Sequence, residues 1–159
     1  MGPVDDELAS HWLAAVRRSE IACALEAVYV MIGDAIDARR PVCDSSGRCC
    51  NFKNHGHLLY VTGLEAAYLV AKSDREVRVS EVQAALERGD CPFLIGKLCG
   101  AHTIKPSGCR IYFCDPTAQD WQHELYERSA KMLRELHDRF EIEYRYAEWR
   151  SLLMMFARE

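Results

Sequence analysis

Eight cysteines stand in the 159-residue chain, and seven of them fall in two stretches: Cys43, Cys49 and Cys50 in the first, Cys91, Cys99, Cys109 and Cys114 in the second. Thiolates are soft ligands that hold zinc or iron-sulfur clusters, and they also carry out disulfide exchange. The spacing runs C-x5-C-C, then C-P-F-L at Cys91, a lone Cys99, and C-x4-C from Cys109 to Cys114. Neither the paired C-x2-C of zinc ribbons nor the C-x2-C-x2-C run of bacterial ferredoxins occurs, so spacing leaves the metal open between zinc and a [4Fe-4S] cluster. Either takes four protein ligands. Seven clustered thiols exceed four and fall short of eight, so two all-cysteine sites would need a bridging thiolate or a contribution from His55, His57 or His102. One four-cysteine site with further thiols beside it is expected. Spare thiols acting on a substrate, or an open cluster iron, would instead make the chain an enzyme. Arg110 and Lys105 lie close in sequence to the last cysteines, where cations ease the deprotonation of thiols.

The bland readings fit less well. Buried unreactive cysteines prefer regular apolar stripes, whereas these seven lie among turn formers. A disulfide framework belongs to oxidising compartments, and the beginning MGPVDDELAS is acidic where a secretory signal is basic, so a cytoplasmic setting is expected. Position 6 is Asp, which removes a myristoylation signal. The most apolar run, residues 21–36, is interrupted by Glu26 and Asp34 and falls short of the roughly 20 residues needed to cross a bilayer, so no membrane association is expected. A net charge of −4 and pI near 5.9 give no footprint for nucleic acid. Cys23 is read as helix packing beside Ala22, Leu25 and Ala27. His11, His123 and His137 are read as surface, Glu141, Glu143, Asp5 and Asp6 as solvated, and Met154 and Met155 as core or oligomer contact. Phosphate loops, G-x-S-x-G and H-E-x-x-H are absent.

The elements that must position the thiols read as helices. Leu8, Trp12, Leu13 and Val16 predict a helix over about residues 5 to 17; Ile21, Leu25, Val28, Ile32 and Ile36 predict another over about 20 to 39, stopped by Pro41. Residues 43–61, with Asp44, Ser45, Ser46, Gly47 and Asn51, read as a loop. Thr62 and Glu65 have capping-box spacing and start a helix at Gly63; Ser80 and Gln83 repeat it for a helix over 81–88 that Gly89 ends. From Asp90 to Pro116 the chain reads as loops with at most a short hairpin. Thr117 with Asp120 opens a long helix, and a last one spans about 147 to 157; Phe140, Ile142, Tyr144 and Tyr146 alternate, which allows an extended join between them. The expected fold is mainly α, a helical scaffold around two irregular cysteine-rich loops with little or no sheet. It is read as one domain over 1–159, with N-terminal helices in 1–40, a cysteine-cluster core in 43–114 and C-terminal helices in 117–159.

Cys49-Cys50, Thr62 with Glu65, Cys91-Pro92-Phe93-Leu94, Cys99, Lys105-Pro106 and Cys109-Arg110 with Cys114 follow one another in an order that resembles the YkgJ-like cysteine-cluster family of zinc- or iron-chelating domain proteins. The chain departs from that family where only Cys43 precedes the C-C pair, where Gly100-Ala101-His102 replaces Ile-Tyr, and where Lys105-Pro106 replaces Arg-Pro. The resemblance implies a zinc or iron-sulfur site built from Cys43, Cys49, Cys50, Cys91, Cys99, Cys109 and Cys114. A related cluster occurs in flagellin lysine N-methylases, but no S-adenosylmethionine site is legible here. The functions expected are electron transfer, metal handling or assistance to a partner enzyme; the rivals are spare-thiol enzymology and a structural-zinc interaction module.

Overall fold

The computed structural model describes residues 2–43 and 46–159, so Asp44 and Ser45, two of the expected turn formers, lie outside the described residues. The fold is mainly α, with eight α-helices and two small two-stranded sheets among those residues. Helix α1, Pro3–Arg17, begins with Pro at its first turn and Asp5 and Asp6 near its N-terminus, where both the fixed proline φ and negative charge are favoured. Arg18 is extended, so α1 and α2 (Ser19–Arg39) are separate helices. Helix α2 buries Ile21, Leu25, Val28 and Ile32 on one stripe, and ends at Arg40 in the left-handed region ahead of Pro41.

The densest packing lies between α1 and α4 (Gly63–Lys72). Trp12 is fully buried, and a Cβ built at Gly63 would come within 2.2 Å of its ring, so only glycine admits this approach. The Trp12 indole donates to the Glu143 carbonyl at 3.0 Å. Strand β1, Tyr60–Thr62, leads into α4 and pairs antiparallel with β4, Tyr146–Glu148. The predicted capping box is present: Thr62 Oγ1 accepts from the Glu65 N–H at 3.2 Å, and Glu65 accepts from the Thr62 N–H at 3.1 Å. Helix α7, Gln119–Arg139, packs on α2, and α8, Trp149–Phe156, closes the core against α1, α4 and α5 (Val79–Arg88). The core draws Trp12, Leu25, Leu64, Leu69, Leu133, Trp149 and Leu153 from all three thirds of the chain, and Cys50 and Cys91 belong to it.

Several local expectations shift. Helix α5 spans Val79–Arg88, with Glu81 rather than Gln83 reaching back to cap Arg78; Gly89 ends it with φ +78 as expected. Between α2 and β1, the short α3, Phe52–His55, follows a 3-10 turn at Arg48–Cys50. The second cysteine stretch holds the anticipated hairpin, β2 (Leu94–Ile95) with β3 (Leu98–Cys99), but also an unforeseen helix, α6, Ser107–Ile111, that starts directly after Pro106. Asp115, not Thr117, caps the next turn by accepting from the Thr117 N–H at 2.9 Å. Cys23 is exposed on α2 instead of packed, because the helix turns its Ile21–Leu25 stripe inward and leaves position 23 outside. His137 is buried rather than at the surface, its Nδ1 lying 3.1 Å from the Ile142 carbonyl oxygen. Asp5 is not merely solvated: it pairs with Arg145 at 2.8 Å. Among the described residues no helix is long and apolar enough to cross a membrane.

Candidate metal centre

The two cysteine stretches meet. The Cys91 N–H donates to the Cys50 carbonyl at 2.9 Å and the Lys53 N–H to the Gly89 carbonyl at 2.8 Å, so main-chain bonds sew the 3-10 turn and α3 to the segment after α5. Gly47, at φ +76, lets the first loop lie against the hairpin turn; a Cβ there would stand 3.0 Å from the Lys97 carbonyl oxygen. In consequence Cys49, Cys50, Cys91, Cys99 and Cys109 line one cavity of about 30 Å³, closed by Leu69, Phe93, Ala101, Lys105, Pro106 and Trp149. The Cys49 and Cys50 sulfurs are 4.0 Å apart. Two sulfurs of a tetrahedral zinc, each about 2.3 Å from the metal, sit roughly 3.8 Å apart.

Each thiol is held by different neighbours. The Trp149 indole N–H points at Cys91 Sγ at 3.4 Å, and the main-chain N–H of Phe93 also bonds that sulfur. The Ala101 N–H bonds Cys99 in the same way, two residues along. Cys109 rides on α6, whose start is anchored by Glu65: its second carboxylate oxygen accepts from the Ser107 N–H at 2.8 Å. Arg110 fixes the approach to α6 by donating to the Lys105 and Thr103 carbonyls at 2.7 and 3.1 Å while its guanidinium stacks over the Tyr29 ring at 4.0 Å.

The electrostatics sort the thiols into two classes. Hydrogen bonding from Cys50, with the charge of Lys105 adding to it, draws Cys49 and Cys99 down to about 6; Cys91 is lowered by Cys50 and by the Phe93 and Trp149 N–H groups. Cys50 moves the other way because its one proton is held among the sulfurs of Cys49, Cys91 and Cys99, and burial raises Cys109. Soft donors, N–H groups aimed at sulfur and a lysine at the wall are what a thiolate-bound metal requires, so the donor set fits zinc or iron. Among the described residues no three His, Cys, Asp or Glu side chains stand in an arrangement that would hold an ion as they are. The thiols border a shared space and hydrogen-bond one another, and ligation demands loss of those protons.

The remaining sequence candidates separate. Cys43 and Cys114 are exposed and border an adjoining recess of about 170 Å³ together with Cys49, Cys50, Cys99 and His102. His102 Nδ1 is 3.3 Å from Lys105 Nζ. His55 is exposed at the end of α3 and borders neither space. His57 stacks on Tyr112 with ring centroids 5.0 Å apart, and its Nδ1 is buried without a partner. It lines a cleft of about 440 Å³, with Tyr60, Gln122, His123, Tyr126 and Tyr146, that reaches Cys49 and Cys109. Sequence reasoning did not find Trp149 as a donor to Cys91, nor Glu65 as the anchor of α6. The Glu65 capping signal was visible, but its second oxygen serves a residue 42 positions away.

A family model described as "Putative zinc- or iron-chelating domain", under the name CxxCxxCC, matches residues 42–135. The chain belongs to this CxxCxxCC family. Metal chelation is therefore its coarse character, in agreement with the resemblance drawn from the cysteine motifs. The family's name spells C-x2-C-x2-C-C, and Cys43, Ser46, Cys49 and Cys50 occupy that spacing here, with Ser46 in place of the second cysteine. No curated protein and no solved structure matches the chain.

Proposed function

We propose that the chain is a cytoplasmic metal-binding protein that holds zinc or iron through four thiolates drawn from Cys49, Cys50, Cys91, Cys99 and Cys109, for metal handling or assistance to a partner protein. The carrying observation is that five thiols from two distant stretches line one cavity of about 30 Å³. That space admits one or two water-sized bodies, which supports an ion in preference to the eight-atom cube of a [4Fe-4S] cluster and, with it, metal handling in preference to electron transfer. Anaerobic purification followed by measurement of zinc, iron and sulfide tests the reading: about one or more equivalents of zinc or iron with little sulfide is expected, and metal content well below one equivalent would sink it.

A second reading, catalysis by the thiols, is favoured by the 440 Å³ cleft that opens onto Cys49 and Cys109. Alanine replacement of Tyr60, Tyr126 and His123 on the cleft wall separates the two. An enzyme would lose its cellular activity with metal retained; a metal carrier would lose neither.

A further inference from the structure

Resting on the metal-centre reading, the cysteine arithmetic can be carried one step further. The inner cavity has Cys91 and Cys109 to itself, the outer recess has Cys43 and Cys114, and Cys49, Cys50 and Cys99 border both. A tetrahedral thiolate site takes four ligands. An inner ion bound by Cys91, Cys109 and two of the shared thiols leaves one shared thiol beside Cys43 and Cys114. Three thiols then face the recess, and letting one shared thiolate bridge supplies the fourth.

Two features favour this outer set. The Val42 N–H donates to Asp115 Oδ2 at 3.1 Å and Arg39 donates to the Thr117 carbonyl at 3.0 Å, which pins the segment carrying Cys43 to the one carrying Cys114. Arg48, Lys97 and Lys105 rim the recess. Seven thiolates around two divalent ions carry an excess of three negative charges, and cations at that rim offset it. His102 is left out of the ligand set because its Nδ1 faces the Lys105 ammonium at 3.3 Å.

We propose that the outer recess holds a second soft divalent ion, bound by Cys43 and Cys114 with two thiolates of the shared trio, one of which bridges to the inner ion. The test uses the full chain, reduced, stripped of metal and reloaded with zinc under anaerobic conditions, and counts bound zinc after gel filtration. Two zinc ions per chain are expected for the wild type, and one for C43S/C114S with its helical circular dichroism unchanged, both replaced side chains being exposed. One ion in the wild type, or two retained by C43S/C114S, overturns this inference while leaving the inner centre standing. Absence of zinc from the wild type overturns the inner centre and this inference with it.

Discussion

Around Trp12, what leaves water is apolar or paired: the ring packs under Gly63, and its N–H has the Glu143 carbonyl. Around the cavity of Cys49, Cys50, Cys91, Cys99 and Cys109, five thiols crowd one another and a single lysine stands at the wall. The first region is stable on its own, because burial of large side chains and capped helix ends lower its free energy with nothing added. The second is an arrangement whose cohesion is incomplete, since neighbouring thiolates repel until a cation joins them. The helices therefore carry the fold, and the cysteine loops borrow position from them through Cys91 to Cys50, Lys53 to Gly89 and Ser107 to Glu65.

The largest expected effect is that of metal removal. Chelation should release binding energy on the order of 10 kcal/mol from the loops, so amide hydrogen exchange over 46–59 and 90–114 should accelerate strongly while α1, α2 and α4 stay protected. Uniform loss of protection across both regions would break the contrast. Next comes Trp12→Ala, expected to cost about 3–5 kcal/mol in urea unfolding, with metal content per folded chain unchanged. Glu65→Ala links the regions: it leaves the Thr62 and Ser107 N–H groups without their charged acceptor. It should cost about 2–3 kcal/mol and also lower metal retention, by loosening the helix that carries Cys109.

A further effect is pH-dependent. In the metal-free chain Cys49 and Cys99 ionise at about 6, below the ordinary thiol value of 9.0. A lowered folded value stabilises where the thiolate is formed. The contribution is full above about 9, shrinks as pH falls, and is gone below about 6. Urea midpoints of the metal-free protein should therefore rise between pH 6 and 8, with a thiolate absorbance step near 6 that C49S and C99S each diminish; a flat profile would remove the two thiol classes. The smallest effect is that of Ser46→Cys, which restores the spacing in the family's name. It should slow chelator removal of the outer ion roughly tenfold, about 1.4 kcal/mol, and leave the inner ion unaffected.

Much of this was written locally in the chain. The α1 and α2 stripes, the Thr62–Glu65 box that opens α4, the Gly89 stop and the cysteine motifs depend on neighbours within a few residues, so periodicity and capping chemistry reveal them. The same local rules misplaced Cys23 and His137, because which side of a helix faces the core is decided by packing partners from elsewhere. They missed α6, since five residues after a proline carry too little period to register.

What the sequence alone determined is the chemistry: seven thiols in two turn-rich stretches, a family of metal chelators, and a mainly helical frame. Tertiary structure decided the grouping, placing Cys91 and Cys109 inside, Cys43 and Cys114 outside, and Cys49, Cys50 and Cys99 between the two. The physical reason is that ligand type is a property of each residue, whereas the space that residues enclose together arises only when α4, α6, α8 and the hairpin fix their loops against one another.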